Sequence, residues 1–389
     1  MQDHELSAWL RLVLTPGVGN QAARKLLAAF GLPQHIFAQG RAALQQVVPQ
    51  QQADALQRVP DTLAPQLDAA HAWLATPPDG LVRRVVTLGD ALYPAALLQM
   101  QDPPLLLYVL GQMQRLQQAT QPSGATGAWP AQALAIVGSR NPTPQGRLDA
   151  RQFAHSLCSN GMTIVSGLAL GIDGAAHEGA LDAVEPLADA AMLATIAVIG
   201  TGIDRVYPRR HQELARRIAA NGLIVSEYPL GSGPLPGHFP RRNRLIAGLS
   251  RGTLVVEAAL RSGSLITARL ATEQGKEVFA IPGSIHSPLS RGCHALIRDG
   301  AKLVESMQDI LEELAMPAPA AAAADDPDPP VPADNPILQA MGSDPVSLDA
   351  LQARTGLDTP TLQARLLELE LAGHVARMPG GLFQRLARA

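Results

Sequence analysis

The sequence predicts an α/β protein built on a mostly parallel sheet, with a smaller module at each end. Three observations carry this. Between residues 80 and 315, short apolar runs at 134–137, 163–165, 196–199, 223–225, 253–256 and 277–280 alternate with longer amphipathic stretches. Strands that alternate with helices imply βαβ units and parallel pairing, the Rossmann-like arrangement. Residues 1–75 instead show helical spacing, with Leu6, Trp9, Leu10 and Val13 in one stretch and Ala23, Leu26, Leu27 and Phe30 in the next. Residues 335–389 read as two helices around a turn at Thr355-Gly356, followed by strand, Gly380-Gly381 and strand. That is winged-helix order.

Breaks in composition separate these modules. Thr76-Pro77-Pro78-Asp79-Gly80 ends the first, and an Ala/Pro/Asp run has the composition of a solvated linker. The expected division is therefore a helical domain at 1–75, an α/β domain at 80–315, a linker at 316–334 and a winged-helix domain at 335–389. A Gln/Pro/Gly-rich stretch at 112–132 reads as a surface loop. A chain of 389 residues that is 47% hydrophobic can bury a large core. Its net charge of −3 confines any nucleic-acid site to a local patch. Of 31 basic residues only Lys25, Lys276 and Lys302 are lysines. The arginines that make up the rest offer planar forks that grip phosphate and stack on bases. Two cysteines, Cys158 and Cys293, make neither a disulfide framework nor a zinc site. With no apolar leader and no run long enough to span a bilayer, the expectation is a soluble cytoplasmic protein with no membrane partner.

In a parallel sheet, ligands gather at the carboxyl ends of the strands. Five of these ends deliver glycine, mostly with a hydroxyl residue: Gly138-Ser139-Arg140, Ser166-Gly167 through Gly174, Gly200-Thr201-Gly202, Arg261-Ser262-Gly263-Ser264 and Pro282-Gly283-Ser284. Glycine admits close approach of phosphate, and helix N-termini present free amides to anions. One such loop reads equally as an ordinary sheet turn; five on one edge favour a ligand site. The segment 240–251 holds four arginines and no acid, and Phe239 precedes it. It reads either as a surface that neutralises phosphates and stacks a base, or as a solvated helical turn with Phe239 in the core.

The motifs of several enzyme classes are absent. There is no Walker loop, no dinucleotide fingerprint after the first strand, and no H-E-x-x-H or C-x-x-C. No catalytic residue, cofactor or metal is expected. Asp173, His177 and Glu257 could form a catalytic set, but Asp173 reads equally as a helix cap and Glu257 as an anchor for loop backbone. The alternative kept open is a nucleotide phosphoribohydrolase-type enzyme using Glu257.

Together the segments Ile136 to Arg140, Ser166-Gly167 to His177, Gly200 to Asp204 with Tyr207-Pro208, Phe239 to Arg244, Ser262 to Ala268 and Phe279 to Ser284 resemble the DNA-processing protein A (DprA/Smf) family over roughly residues 80–312. The resemblance implies a Rossmann-like domain that binds single-stranded DNA, forms a homodimer and loads RecA recombinase during natural transformation. It implies that Gly138, Ser139, Arg140 and Gly167 approach phosphate, that Phe239 stacks a base, and that Arg242, Asn243 and Arg244 line the same pocket. Ser262, Gly263 and Ser264 would offer hydroxyls and amides. Where the family usually carries a basic residue before Phe-Pro, this chain has only His238, with Arg209 or Arg210 as nearby replacements. The stretch 183–194 is longer and more acidic than is typical and reads as a surface insertion. The family's dimer region corresponds to His294, Leu296, Ile297 and Leu303.

Leu14 to Gly19 resembles a helix-hairpin-helix turn, consistent with the SAM-like helical domain that the family carries. In the winged helix, the second helix carries Arg365 but also Glu368 and Glu370, a balance that favours a protein contact over DNA.

Overall fold

The computed structural model describes residues 3–113, 116, 129–185, 192–316, 335–342 and 345–386. All but the first residue of the expected linker, and parts of the expected loop at 112–132 and insertion at 183–194, lie outside the described residues.

Helices α1 (Asp3–Leu14), α2 (Asn20–Phe30), α3 (Pro33–Phe37), α4 (Arg41–Gln45), α5 (Gln50–Leu56) and α6 (Leu63–Ala75) form the N-terminal module. They enclose Trp9, Leu10, Leu12, Leu26, Ile36, Leu44 and Leu56, all fully buried. At roughly 1.5–3 kcal/mol per buried large side chain, these contacts hold together helices too short to persist alone.

The sheet follows. Strands β1 (Val82–Thr87) and β2 (Leu106–Gly111) flank the short helix α7 (Ala95–Leu98). Then come β3 (Ala133–Val137), α8 (Pro144–Ser159), β4 (Thr163–Ser166), α9 (Ile172–Val184), β5 (Thr195–Val198), α10 (Gln212–Asn221), β6 (Leu223–Ser226), α11 (His238–Gly248), β7 (Gly252–Val255), α12 (Ser264–Glu273), β8 (Glu277–Ala280), α13 (Arg291–Arg298), β9 (Lys302–Leu303) and α14 (Met307–Glu313). Among the described residues the order across the sheet is β1-β2-β6-β5-β4-β3-β7-β8-β9. The seven strands from β6 to β9 run parallel; β1 and β2 are antiparallel to their neighbours. The predicted α/β class is therefore the observed one. The antiparallel edge escaped the sequence reading because β1, Val-Arg-Arg-Val-Val-Thr, is interrupted by two arginines that a parallel core strand would not tolerate.

The central strands are buried on both faces, and alternate residues of β3 feed opposite cores. Leu134 and Ile136 pack on one side, Ala133, Ala135 and Val137 on the other. Helices α8 and α9 close on each other at Gly179, where a Cβ would lie 2.0 Å from the Arg151 carbonyl oxygen. Any side chain there forces the helices apart, a strain of about 1–3 kcal/mol.

The C-terminal residues form α15 (Pro336–Met341), β10 (Val346–Ser347), α16 (Leu348–Thr355), α17 (Thr359–Leu371), β11 (Val375–Met378) and β12 (Leu382–Arg385), the strands ordered β10-β12-β11. Gly356 turns the chain between α16 and α17 at φ +68°, and Asp358 caps α17 by accepting from the Thr361 amide at 2.9 Å. This is a winged helix, with one helix more than the sequence suggested. Among the described residues no helix is long and apolar enough to cross a membrane.

One feature of the sheet positions a site. From β3 the chain winds outward through β4, β5 and β6; it then returns to lay β7 on the other side of β3. The loops leaving β3 and β7 diverge, and the crevice between them is where doubly wound sheets bind ligands.

Candidate nucleic-acid interface

The β3–β7 crevice is a cavity of about 400 Å³. Gly138, Ser139 and Arg140 come from the loop after β3, and Ser262, Gly263 and Ser264 from the loop after β7. Phe239, Arg242 and Asn243 reach in from α11, and Asp173 from α9. These are most of the residues singled out from the sequence.

Arg140 is exposed and makes no ion pair among the described residues; its guanidinium carbon stands 5.6 Å from the centre of the Phe239 ring. Arg242 is the opposite case, only 4% exposed. It donates from Nη2 to the Gly167 carbonyl at 2.6 Å and from Nη1 to Asn243 Oδ1 at 3.2 Å. Its Nε has no hydrogen-bond partner. Burial pulls its guanidinium below the ordinary value, and the nearby Asp173 charge opposes this. Asp173 mirrors it: burial raises its carboxyl, while Arg242 and the amides of Ala169 and Gly167 pull it back.

Asp173 is not an N-cap, since Gly171 holds that position. It accepts from the Gly167 amide at 3.1 Å and the Ala169 amide at 3.3 Å. Between those anchors Leu168 sits at φ +57°, a left-handed conformation that costs a non-glycine residue about 1–2 kcal/mol. A Cβ at Gly167 would fall 1.8 Å from Arg242 Nη1, so any side chain there would displace the guanidinium that holds the loop. Loop, carboxylate and arginine thus fix one another.

At the β7 loop the Ser262 and Ser264 hydroxyls lie 2.7 Å apart. One hydrogen joins them, which leaves the other free to donate to an anion. Asn243 Nδ2 donates to the Gly263 carbonyl at 3.3 Å and ties α11 to this loop.

Three predicted residues lie elsewhere. Arg244 is buried, donating to the Glu227 carboxylate and, at 2.7 Å, to the Asp102 carbonyl. Burial raises Glu227, with Arg244 and then Arg241 opposing. His238 Nδ1 is 3.2 Å from the Gly200 carbonyl, and its ring stacks on Tyr228 with centroids 3.9 Å apart. Arg209 stands exposed on the turn Arg209–His211 and lines neither this cavity nor its neighbour.

That neighbour, about 70 Å³, shares Arg140, Phe239 and Arg242 and adds Gly167, Gly200, Thr201 and Tyr207. In the sequence Tyr207 stands out only through the Tyr207-Pro208 motif and its scarcity, as one of four tyrosines.

The residues weighed as a catalytic set do not share hydrogen bonds. His177 is fully buried, with Nδ1 2.7 Å from Thr195 Oγ1. That hydroxyl donates to the Ile164 carbonyl, so Nδ1 carries the proton. Burial first, then His211 and Arg242, push this imidazole down to about 3. Glu257 accepts from the Thr143 hydroxyl at 2.6 Å and amide at 3.0 Å, the loop-anchoring role weighed above. It lies in a different cleft of about 1050 Å³ with Asp149, whose carboxyl burial pushes up to about 6.

Of the residues matched to a dimer region, His294, Ile297 and Leu303 border a groove of about 460 Å³ with Leu260, which is 57% exposed. Leu296 does not border it and, like Ile297, packs on the core.

A doubly wound sheet whose switch-point crevice brings together arginine, serine hydroxyls and an aromatic edge defines a Rossmann-like protein with a candidate anion site. Comparison with known proteins takes this further. The family model DNA recombination-mediator protein A matches residues 84–315, and the DprA winged helix domain model matches 310–381. The chain is 41% identical over 331 residues to Protein Smf of Escherichia coli (strain K12), covering 83% of this chain and 82% of that one. It is 46% identical over 224 residues to DNA processing protein DprA of Streptococcus pneumoniae, covering 58% and 72%. In three dimensions it is similar to the crystal structure of DNA processing protein A from Streptococcus pneumoniae, with TM-score 0.58, 37% identity and coverage of 80% and 98%. The chain belongs to the DNA recombination-mediator protein A family.

Proposed function

We propose that this chain binds single-stranded DNA in the β3–β7 crevice, shields incoming strands and loads RecA recombinase onto them during natural transformation and recombination. The observation that carries the reading is the guanidinium of Arg140, which makes no ion pair among the described residues and is poised beside Phe239 in the cavity that also holds the Ser262–Ser264 hydroxyls. Arg140 and the Ser262-Gly263-Ser264 loop take phosphate, with Gly138, Ser139 and Gly167 providing close backbone. Phe239 takes a base, and Arg242 with Asn243 holds the loops in place. An aromatic edge inside a crevice reaches bases only when they are unpaired, which selects single strands. The names of the relatives, which describe DNA processing, agree with this.

The reading has no catalytic centre, cofactor or metal: Glu257 is committed to Thr143. It treats residues 1–75, 80–315 and 335–389 as three domains joined by a linker at 316–334, working in the cytoplasm. The chain pairs with a second copy through the groove of His294, Ile297 and Leu303; Leu303→Asp then yields a monomer by sedimentation.

The test is a gel shift with a labelled poly-dT strand at two salt concentrations, with duplex of equal length as competitor. Salt-sensitive retardation that duplex does not compete supports the reading; no retardation at low salt removes it. Loading is tested separately, as faster RecA filament growth on strands coated with single-strand-binding protein.

A further inference from the structure

The small cavity beside the crevice has a different chemistry from the crevice itself. Arg140 and Phe239 form the partition between the two. On the crevice side stand the hydroxyl residues Ser139, Ser262, Ser264 and Thr267, with the carboxylate of Asp173. On the other side stand Tyr207, Gly200 and Thr201. Tyr207 is 48% exposed, although its ring lies 5.6 Å from that of Phe239. The rings are tilted by 42°, so they do not stack face to face and each keeps π surface for a third ring. A Cβ at Gly200 would lie 3.1 Å from the Phe239 ring, so the absence of a side chain there lets that ring sit against the floor of the cavity. No hydrogen bond is made by the Tyr207 hydroxyl among the described residues. A half-exposed aromatic with no structural partner beyond another aromatic is surface suited to a ligand with a flat face.

We propose that this second cavity is a nucleobase site, in which Tyr207 and Phe239 form a two-ring shelf for a base whose adjoining phosphate lies in the crevice. Arg140, at the partition, contacts both units of the strand. This rests on the DNA reading above and deepens it by assigning base contact to a residue outside the crevice.

The experiment measures affinity by fluorescence anisotropy for a dT strand and for an abasic strand of equal length, using wild type, Tyr207→Ala, Tyr207→Leu and Tyr207→Phe, with melting curves to establish folding. Tyr207→Ala and Tyr207→Leu should weaken the dT strand about tenfold, in the range of one lost base stack. Both should leave abasic affinity unchanged, and Tyr207→Phe should bind both strands as wild type does. Unchanged dT affinity in folded Tyr207→Ala and Tyr207→Leu overturns the base site while the DNA reading stands. So does an equal loss on both strands, which would make Tyr207 a backbone or structural residue. Wild-type protein that binds neither strand overturns both.

Discussion

Two clefts open at neighbouring strand ends of the same sheet, and they carry opposite charge. The β3–β7 crevice is lined by Arg140 and Arg242 against Asp173. The cleft beyond β7 is lined by Asp149 and Glu257, with no lysine or arginine among its described walls. The second is larger, about 1050 against 400 Å³, so size alone would choose it. Charge reverses the choice for a polyanion, since two carboxylates exclude phosphate and two guanidiniums attract it. Glycine loops border both clefts; what distinguishes them is the charged side chains each brings in, Arg140 and Arg242 in one and Asp149 and Glu257 in the other.

The comparison can be broken at four points. The largest effect is expected from Arg244→Ala. Removing one partner of a buried ion pair leaves Glu227 with only Arg241, 4.0 Å away, to offset its charge, at a cost of up to about 3–5 kcal/mol in denaturant unfolding. Per folded molecule, DNA affinity should hold; the reverse outcome, intact stability with lost affinity, would return Arg244 to the phosphate site. Next is Asp149→Asn. The folded carboxyl sits near 6 rather than its ordinary 3.8, so folding favours the uncharged form. The contribution of Asp149 to stability is therefore full below about pH 4 and is lost as pH rises through 6. The variant should gain up to about 3 kcal/mol at pH 7.5, with DNA affinity unchanged. An advantage that persists undiminished at pH 4 would refute the charge assignment. Third, Arg140→Ala should weaken single-strand binding about tenfold or more and make the log–log salt slope shallower by about 0.7, read by anisotropy across salt. Arg140→Lys should recover the slope better than the affinity, because it keeps charge and loses the fork. The smallest effect is expected for Ser262→Ala with Ser264→Ala, a two- to fivefold loss, about 0.5–1 kcal/mol for a removed hydroxyl contact.

The parallel sheet was legible because strands buried on both faces are written as unbroken apolar runs, as in Leu134-Ala135-Ile136-Val137. Glycines at the strand ends marked the loops for the same local reason. The arginines of α11 were not separable that way. In sequence Arg241, Arg242 and Arg244 look alike; in the fold Arg241 is exposed, Arg242 holds Gly167 and Arg244 holds Glu227 and Asp102. The residues that decide this lie up to 142 positions away. Asp173 was ambiguous between cap and anchor because both roles place a carboxylate near a helix start, and only the left-handed turn at Leu168 separates them. Tyr207 was passed over because exposure is a property of the packed chain rather than of the residue.

Asp102 is held from two sides. Its carbonyl accepts from Arg244 on α11, and its carboxylate accepts from Asn20 at the start of α2, at 3.3 Å. Arg244, Asp102 and Asn20 thus link α11 to the start of α2. The helix that carries Phe239 and Arg242 is thereby braced against the N-terminal module, so a substitution at Asp102 would be felt on both sides of that contact.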